Sequence, residues 1–424
     1  MRRAYSLLLY LLVPGSILYL LWRGWRNSAY WRRWPERFGW VPENLSVQGG
    51  TLWVHAVSVG EVQAATALVN VLRKRFPSQK ILLTTFTATG SERVCANFPQ
   101  DVLHCYVPYD LPGAVQRFLV HTRPHLAIIM ETELWPNIFH YCHELGIPII
   151  LANARMSERS ARGYRRVVGI IKETLTKVSA IAAQTEQDAA RLIALGAPPE
   201  RVHTTGSIKF DIRLPASLHE EAAVLRRSWG SDRAVWIAAS THEGEEKYVL
   251  DVFEAVKKVV QDSLLVLVPR HPERFSKVTA LCHKRGYTTV SRSDQQPCGP
   301  GTDIFIGDSM GELALFYAAA DVAFVGGSLV PVGGHNLLEP AALGLATITG
   351  PYMFNFAEIS RLLCEEGVVR QVQDTQQLTE AVIGLLRDPN LRYAMGEKGK
   401  HLVEKNRGAL DALVRLITPY LDRR

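Results

Sequence analysis

Beyond residue 50, short runs of apolar and β-branched residues alternate with longer stretches of helical spacing. The runs fall at 52–57, 81–85, 102–106, 126–130, 147–151 and 180–183. They are continuously apolar rather than alternating. Strands of that kind are buried on both faces, as in a parallel sheet covered by helices. Helical stretches such as 62–76 and 186–195 lie between them, which predicts a doubly wound α/β domain. The pattern pauses near 205–220, around Pro215. A second series follows at 235–239, 264–268, 287–290, 303–306, 322–325 and 346–349, and residues 390–421 read as helical. The expectation is two Rossmann-like domains, 41–206 and 207–424, facing a cleft. No repeat of short period and no low-complexity linker interrupts them.

The first 40 residues differ. Residues 4–22 carry no charge, close to the ~20 residues that a membrane-spanning helix needs. Pro14 and Gly15 sit in the middle, where they weaken or kink a helix. Arg2, Arg3, Arg23, Arg26, Arg32, Arg33 and Arg37 stand against Glu36 alone. Tyr19, Trp22, Trp25, Tyr30, Trp31 and Trp34 interleave with them, as side chains do near lipid headgroups. No small-residue cleavage site follows the apolar stretch, which disfavours a removed signal peptide. Residues 1–40 are therefore expected to be a membrane anchor with a basic collar, spanning or interfacial.

The formal net charge is +7, and the arginines of this segment account for nearly all of it. The rest of the chain is close to neutral, which argues against a nucleic-acid partner. The six cysteines are scattered without a C-x-x-C pair, which suits reduced thiols and neither a disulfide frame nor a zinc site. The body is expected on the cytoplasmic face of a membrane.

In open α/β sheets, ligands sit beyond the carboxyl ends of the strands. The first run ends in VHAVSVGE. Glu61 there is either an acid favoured by a helix dipole or a general base at a loop tip. The fourth ends in METELWPN, where Glu131 and Glu133 read as a helix start capped by Thr132 or, more weakly, as a metal pair. Arg155, Arg159, Arg162, Arg165 and Arg166 follow the fifth run, either as a solvated face or as a dock for an anionic acceptor.

The second series is richer in such ends. Ser240, Thr241 and His242 close its first run, and Arg270 and His271 its second. GDSMGEL and FVGGSLVPVGGHNLLEPAALG come later. Their glycines, among them Gly334, permit close backbone approach. Asn336 would open a helix whose N–H groups can hold phosphate, with Glu339 in its first turn. Neither a Walker A loop, a G-x-G-x-x-G fingerprint, a G-x-S-x-G elbow nor an H-E-x-x-H pair occurs. His121, His125, His140 and His143 read as ordinary core or surface histidines. No cofactor and no metal are expected.

Taken together, VHAVSVGE, ETELWPN, NARMSERS, GSIKFD, PRHPER, GDSMGEL and GGHNLLEPAALG resemble, in order, the motifs of the Kdo transferases. These enzymes add 3-deoxy-D-manno-octulosonic acid (Kdo) to the lipid A precursor of Gram-negative bacteria. The resemblance spans nearly the whole chain. It implies a GT-B fold, CMP-Kdo as donor, the inner membrane as location, and inverting displacement without metal. By the same resemblance, Glu61 matches the general base, while Glu131 and Lys209 match positions that stabilise the transition state. Pro269, Arg270, Met310, Gly311, Glu312, Asn336, Leu337, Leu338 and Glu339 match the CMP contacts. Ser240, His271, Gly334 and His335 are further candidates around the same nucleotide. Two other readings stay open: a UDP-sugar transferase or 2-epimerase on the same fold, and a membrane-tethered lipid-binding module without catalysis.

Overall fold

The computed structural model describes residues 1–26, 33–45, 49–98, 102–212 and 214–421. Tyr30, Trp31 and Arg32 lie outside them, as do the side chains of Tyr19, Arg23 and Arg26. The chain forms two compact units, residues 1–211 with 407–424, and residues 212–406.

The first unit holds seven strands: β1 (Thr51–His55), β2 (Ile81–Thr85), β3 (Leu103–Tyr106), β4 (Pro124–Met130), β5 (Ile149–Ala154), β6 (Ala180–Ala183) and β7 (Val202–Thr204). Their order is β3-β2-β1-β4-β5-β6-β7, and the pairs are parallel. Both sheet faces are dry. On β1, Leu52 and Val54 join one core cluster and Trp53 joins the other, all with no exposed surface. Burial on both faces is why the run reads as continuously apolar.

The second unit repeats the plan with β8 (Ala234–Thr241), β9 (Ser263–Pro269), β10 (Thr289–Ser291), β11 (Ile304–Ile306), β12 (Val322–Val325), β13 (Ala346–Thr349) and β14 (Val369–Gln371). The order is β10-β11-β9-β8-β12-β13-β14, again parallel. β7 and β14 were not anticipated. Each is three residues long and partly exposed, so neither shows a long apolar run.

The stretch expected to be helical from 390 to 421 divides at Asn406–Gly408. The helix Pro389–Lys405 stays in the second unit, whereas Ala409–Leu421 belongs to the first. Leu410, Leu413, Val414 and Ile417 of the last helix are buried in the same cluster as Leu52 and Val54. Each such side chain contributes roughly 1.5–3 kcal/mol. Asp211 fastens this return. Its carboxylate accepts the Gly408 N–H at 2.7 Å and the Leu410 N–H at 2.6 Å, capping the helix from across the unit.

The N-terminal segment forms a helix, Arg2–Arg26, that runs through Pro14. Among the described residues no helix is long and apolar enough to cross a membrane, which corrects the spanning form of the anchor. One face of the helix is tied to the first unit instead. Tyr5 donates to Asp110 at 3.0 Å, and Arg2 and Ser6 donate to Asn137 Oδ1 at 2.9 and 3.0 Å. Leu7, Leu8, Leu11, Leu12, Leu18, Leu21, Trp22 and Trp25 remain exposed. The collar is corrected as well. Arg37 is buried, bonded to the Phe86 carbonyl and stacked 4.2 Å from the Tyr106 ring centroid. Arg33 binds Glu36 at 2.7 Å and the His104 carbonyl at 2.8 Å. These two arginines build the body rather than facing headgroups.

Asp211→Ala leaves the two amides at the start of the last helix without their acceptor. Stability to denaturant should fall by about 1–2 kcal/mol, and Asp211→Asn should lose less. An unchanged unfolding midpoint for the alanine variant would show that the cap contributes nothing.

Candidate active site

In the first unit the chain moves from β1 to β2 and β3 on one side, then returns to place β4 beside β1. Ligands of open α/β sheets bind at this kind of reversal. Glu61 follows β1, and Glu131 follows β4. Ser58 caps the helix Val59–Arg75, and Glu61 is its third residue. The Glu61 carboxylate accepts the Ser58 hydroxyl at 2.9 Å and the Val57 N–H at 2.8 Å, tying the helix start to the end of the β1 loop. Glu61 is only 6% exposed. Burial pushes its carboxyl up to about 7, and the charges of Glu131 and Glu133 push the same way against the Val57 and Ser58 bonds. A structural tie and a poised acid therefore coexist in one side chain.

Glu131 has φ +54°, a strained value for a non-glycine residue. Its carboxylate meets Lys209 Nζ at 3.3 Å, so two predicted residues 78 positions apart come together. Asn153, also at positive φ (+54°), sets this contact. Its Oδ1 accepts the Ile208 N–H at 3.1 Å, one residue before Lys209. In the sequence Asn153 stood out only as the first residue of an arginine-rich motif. Thr132 does not cap a helix. It bonds the Arg155 backbone, and the next helix, Pro136–Glu144, starts after Trp135 with no side-chain cap of its own. Glu133 accepts the Trp135 indole N–H at 3.0 Å, and burial raises its carboxyl. On the arginine-rich helix Glu158–Arg165, Arg159, Arg162 and Arg165 are exposed, as a solvated face would be.

The second unit has its own reversal, between β8 and β12. Ser240, one residue before the end of β8, has φ +56°. Glu245, fully buried, was missed in the sequence, where it is one of several acids in THEGEE. Its carboxylate accepts four backbone N–H groups: His242 at 3.2 Å, Gly327 at 2.7 Å, Ser328 at 3.1 Å and Leu329 at 2.9 Å. It locks the loop after β12 to the end of β8. A Cβ on Gly326 would stand 2.7 Å from that carboxylate, so only glycine fits there.

Three histidines gather at the same place. His242 and His335 stack at 5.1 Å with Nε2 atoms 2.9 Å apart, and His271 meets His242 edge-on at 5.3 Å. Burial pushes His335 down to about 3, with Arg270 and His242 adding to it, and burial lowers His242 too. Both rings are neutral at pH 7; Arg270 lies beside both, and Arg274 also beside His242. Arg270 follows Pro269 at the end of β9, where its N–H bonds the Thr241 carbonyl at 3.0 Å. Burial raises the Glu339 carboxyl, against the Asn336 bond and the Arg270 charge.

The GGHNLLEP segment differs from expectation. The helix is Leu338–Ala342, five residues, and Asn336 Oδ1 already accepts the Leu338 N–H at 3.1 Å. Asn336 Nδ2 donates to Glu339 at 3.1 Å. Leu337 and Leu338 are buried, so their side chains are closed to a ligand. Gly334 is tied by its N–H to the Gly327 carbonyl at 2.8 Å. Gly311, Glu312 and Glu339 line a recess of about 370 Å³ with Leu214, Pro215 and Leu218. Glu312 is held by a forked pair with Arg292 (2.6–3.2 Å) and by Ser309, while Met310 stands exposed. Arg292 was not foreseen. Among the described residues, no three His, Cys, Asp or Glu side chains gather to hold a metal.

Two parallel α/β units each place charged groups at a strand-order reversal, where open α/β sheets bind ligands. Residues 32–212 match the family described as 3-deoxy-D-manno-octulosonic-acid transferase (kdotransferase), and residues 236–402 match glycosyl transferases group 1. The protein is a glycosyltransferase. The 3-deoxy-D-manno-octulosonic acid transferase of Haemophilus influenzae is 42% identical over 100% of this chain and 99% of its own. That of Bordetella pertussis is 36% identical, over 97% and 98%. The chain belongs to this Kdo transferase family. A UDP-GlcNAc 2-epimerase from Neisseria meningitidis, bound to UDP-GlcNAc, superposes with TM-score 0.52 at 14% identity over 87% of this chain and 100% of that one. That likeness is one of fold.

Glu245→Gln keeps the shape but replaces a two-oxygen anion facing four N–H donors with an amide of one acceptor. The variant should lose about 3 kcal/mol of stability. An unaltered melting temperature would remove Glu245 from this role.

Proposed function

We propose that the protein transfers Kdo from CMP-Kdo to a hydroxyl of a lipid A precursor, inverting the anomeric centre in one displacement without a metal. Family membership supports the sugar, and the observation that carries the mechanism is Glu61. It is a buried carboxyl at the β1/β4 reversal, raised to about 7. A base works best with a pKa near the operating pH. Glu61 takes the acceptor proton as the hydroxyl oxygen bonds to the anomeric carbon. The bond from that carbon to the CMP phosphate oxygen breaks, and its electron pair leaves with CMP. Glu131, paired with Lys209, supplies charge that stabilises the developing cationic sugar. Arg270 meets the single phosphate, and the neutral histidines beside it supply N–H donors. Gly311, Glu312 and Glu339 offer the recess for the nucleoside.

The exposed leucines and tryptophans of the N-terminal helix support a membrane-surface contact, with the helix lying in the interface. We place that surface at the cytoplasmic face of the inner membrane, where a lipid acceptor and reduced cysteines coincide.

Glu61→Gln should retain stabilisation by CMP yet transfer Kdo at least ~100-fold more slowly. Near-normal turnover would take the base role away from Glu61. In the unaltered enzyme kcat/KM should rise as pH increases through about 7, because the carboxylate is the active form. Stability has the opposite sign. The unfolded carboxyl releases its proton near 4.5, so Glu61's contribution falls as pH climbs from about 4.5 to about 7. Glu61→Gln should flatten both trends. Stabilisation by UDP but not CMP would favour the UDP-sugar alternative.

Removal of residues 2–26 should shift the protein out of the membrane fraction. Unchanged fractionation would defeat the surface-contact reading.

A further inference from the structure

The N-terminal helix does more than expose leucines. Its first two turns reach two buried residues, Asp110 and Asn137. Asp110 leads into the helix Pro112–Thr122, and Asn137 lies in the first turn of the helix Pro136–Glu144. That second helix has no local cap, and Asp110 supplies one from a distance. Its carboxylate accepts the Asn137 N–H at 3.0 Å and the Ile138 N–H at 2.7 Å, and its carbonyl accepts Asn137 Nδ2 at 2.6 Å. Tyr5 donates to the same carboxylate, while Arg2 and Ser6 donate to Asn137 Oδ1. Arg2 also lies over the Tyr141 ring, one turn further along.

Between the end of β4 at Met130 and the start of this helix at Pro136 there are only five residues, and they carry Glu131 and Glu133. β4 is a central strand and does not move freely. The far end of the loop is set by the first helical turn, and Glu133 bonds Trp135 immediately before it. Any displacement of that turn passes into the loop.

We infer that Arg2, Tyr5 and Ser6 are positioning residues for sugar transfer: the N-terminal helix holds the Glu131–Glu133 loop in place through Asn137 and Asp110. The inference rests on the transferase reading above and adds a role for the helix that is separate from membrane contact. Small misplacements of catalytic groups lower turnover steeply, whereas donor binding elsewhere in the chain is untouched.

The test uses the full chain in detergent micelles, with CMP-Kdo and a tetraacyl lipid A precursor, so that membrane recruitment plays no part. The Tyr5→Phe/Ser6→Ala double variant removes two donors without changing charge. Its kcat should fall by about tenfold with KM for CMP-Kdo unchanged. Amide hydrogen exchange should quicken at residues 131–139. Arg2→Lys, which keeps a donor, should stay near the parent. An unchanged kcat, or faster exchange confined to residues 2–26, would overturn the inference. If the unaltered protein fails to transfer Kdo, the transferase reading fails, and the exchange measurement still decides whether the helix holds the loop.

Discussion

Carboxylates that accept backbone N–H groups hold together the parts of this protein on which its chemistry depends. Glu245 gathers four amides and binds the loop after β12 to the end of β8. Asp110 caps a helix that lacks its own cap, Asp211 fastens the last helix, and Glu61 closes the turn after β1. The cause lies in the architecture. A parallel sheet covered on both faces satisfies its interior through strand pairing, while the loops at its carboxyl ends leave N–H groups pointing inward. A buried anion is stable only if such donors surround it. Each need answers the other.

This arrangement also explains how Glu61 can be both structural and reactive. Its bonds to Val57 and Ser58 orient the carboxylate, and burial together with two neighbouring acids keeps its proton affinity high. Glu131 and Asn153 adopt left-handed backbone conformations at the ends of adjacent strands β4 and β5. Strain of this kind persists where surrounding bonds over-determine the conformation. Here those bonds include Glu131 with Lys209, and Asn153 with Ile208.

Much of this was legible along the chain. Apolar runs gave most strands at nearly their observed positions, because two-face burial leaves a local signature. The short edge strands β7 and β14 carry no such signature. Motifs placed Glu61, Glu131 and Arg270 beside strand ends, since a ligand-facing loop must follow a strand wherever the fold is doubly wound, while Lys209 came from the family resemblance alone. The helix proposed at Asn336 was harder to read. Its glycines and asparagine look like a phosphate cradle, yet Asn336 spends its side chain on Leu338 and Glu339.

The sequence by itself determined the two doubly wound domains, the family, and the residue types at the strand ends, because periodicity and motifs are local properties. Tertiary structure alone decided the partners: Asp110 with Asn137, Asp211 with Gly408, Glu245 with Gly327 to Leu329, and Arg33 and Arg37 with the body instead of a membrane. It also returned the last helix to the first unit. The first two of these pairs lie 27 and 197 positions apart. Which distant amide a carboxylate will meet depends on how sheets and helices pack, and no short stretch of sequence records that.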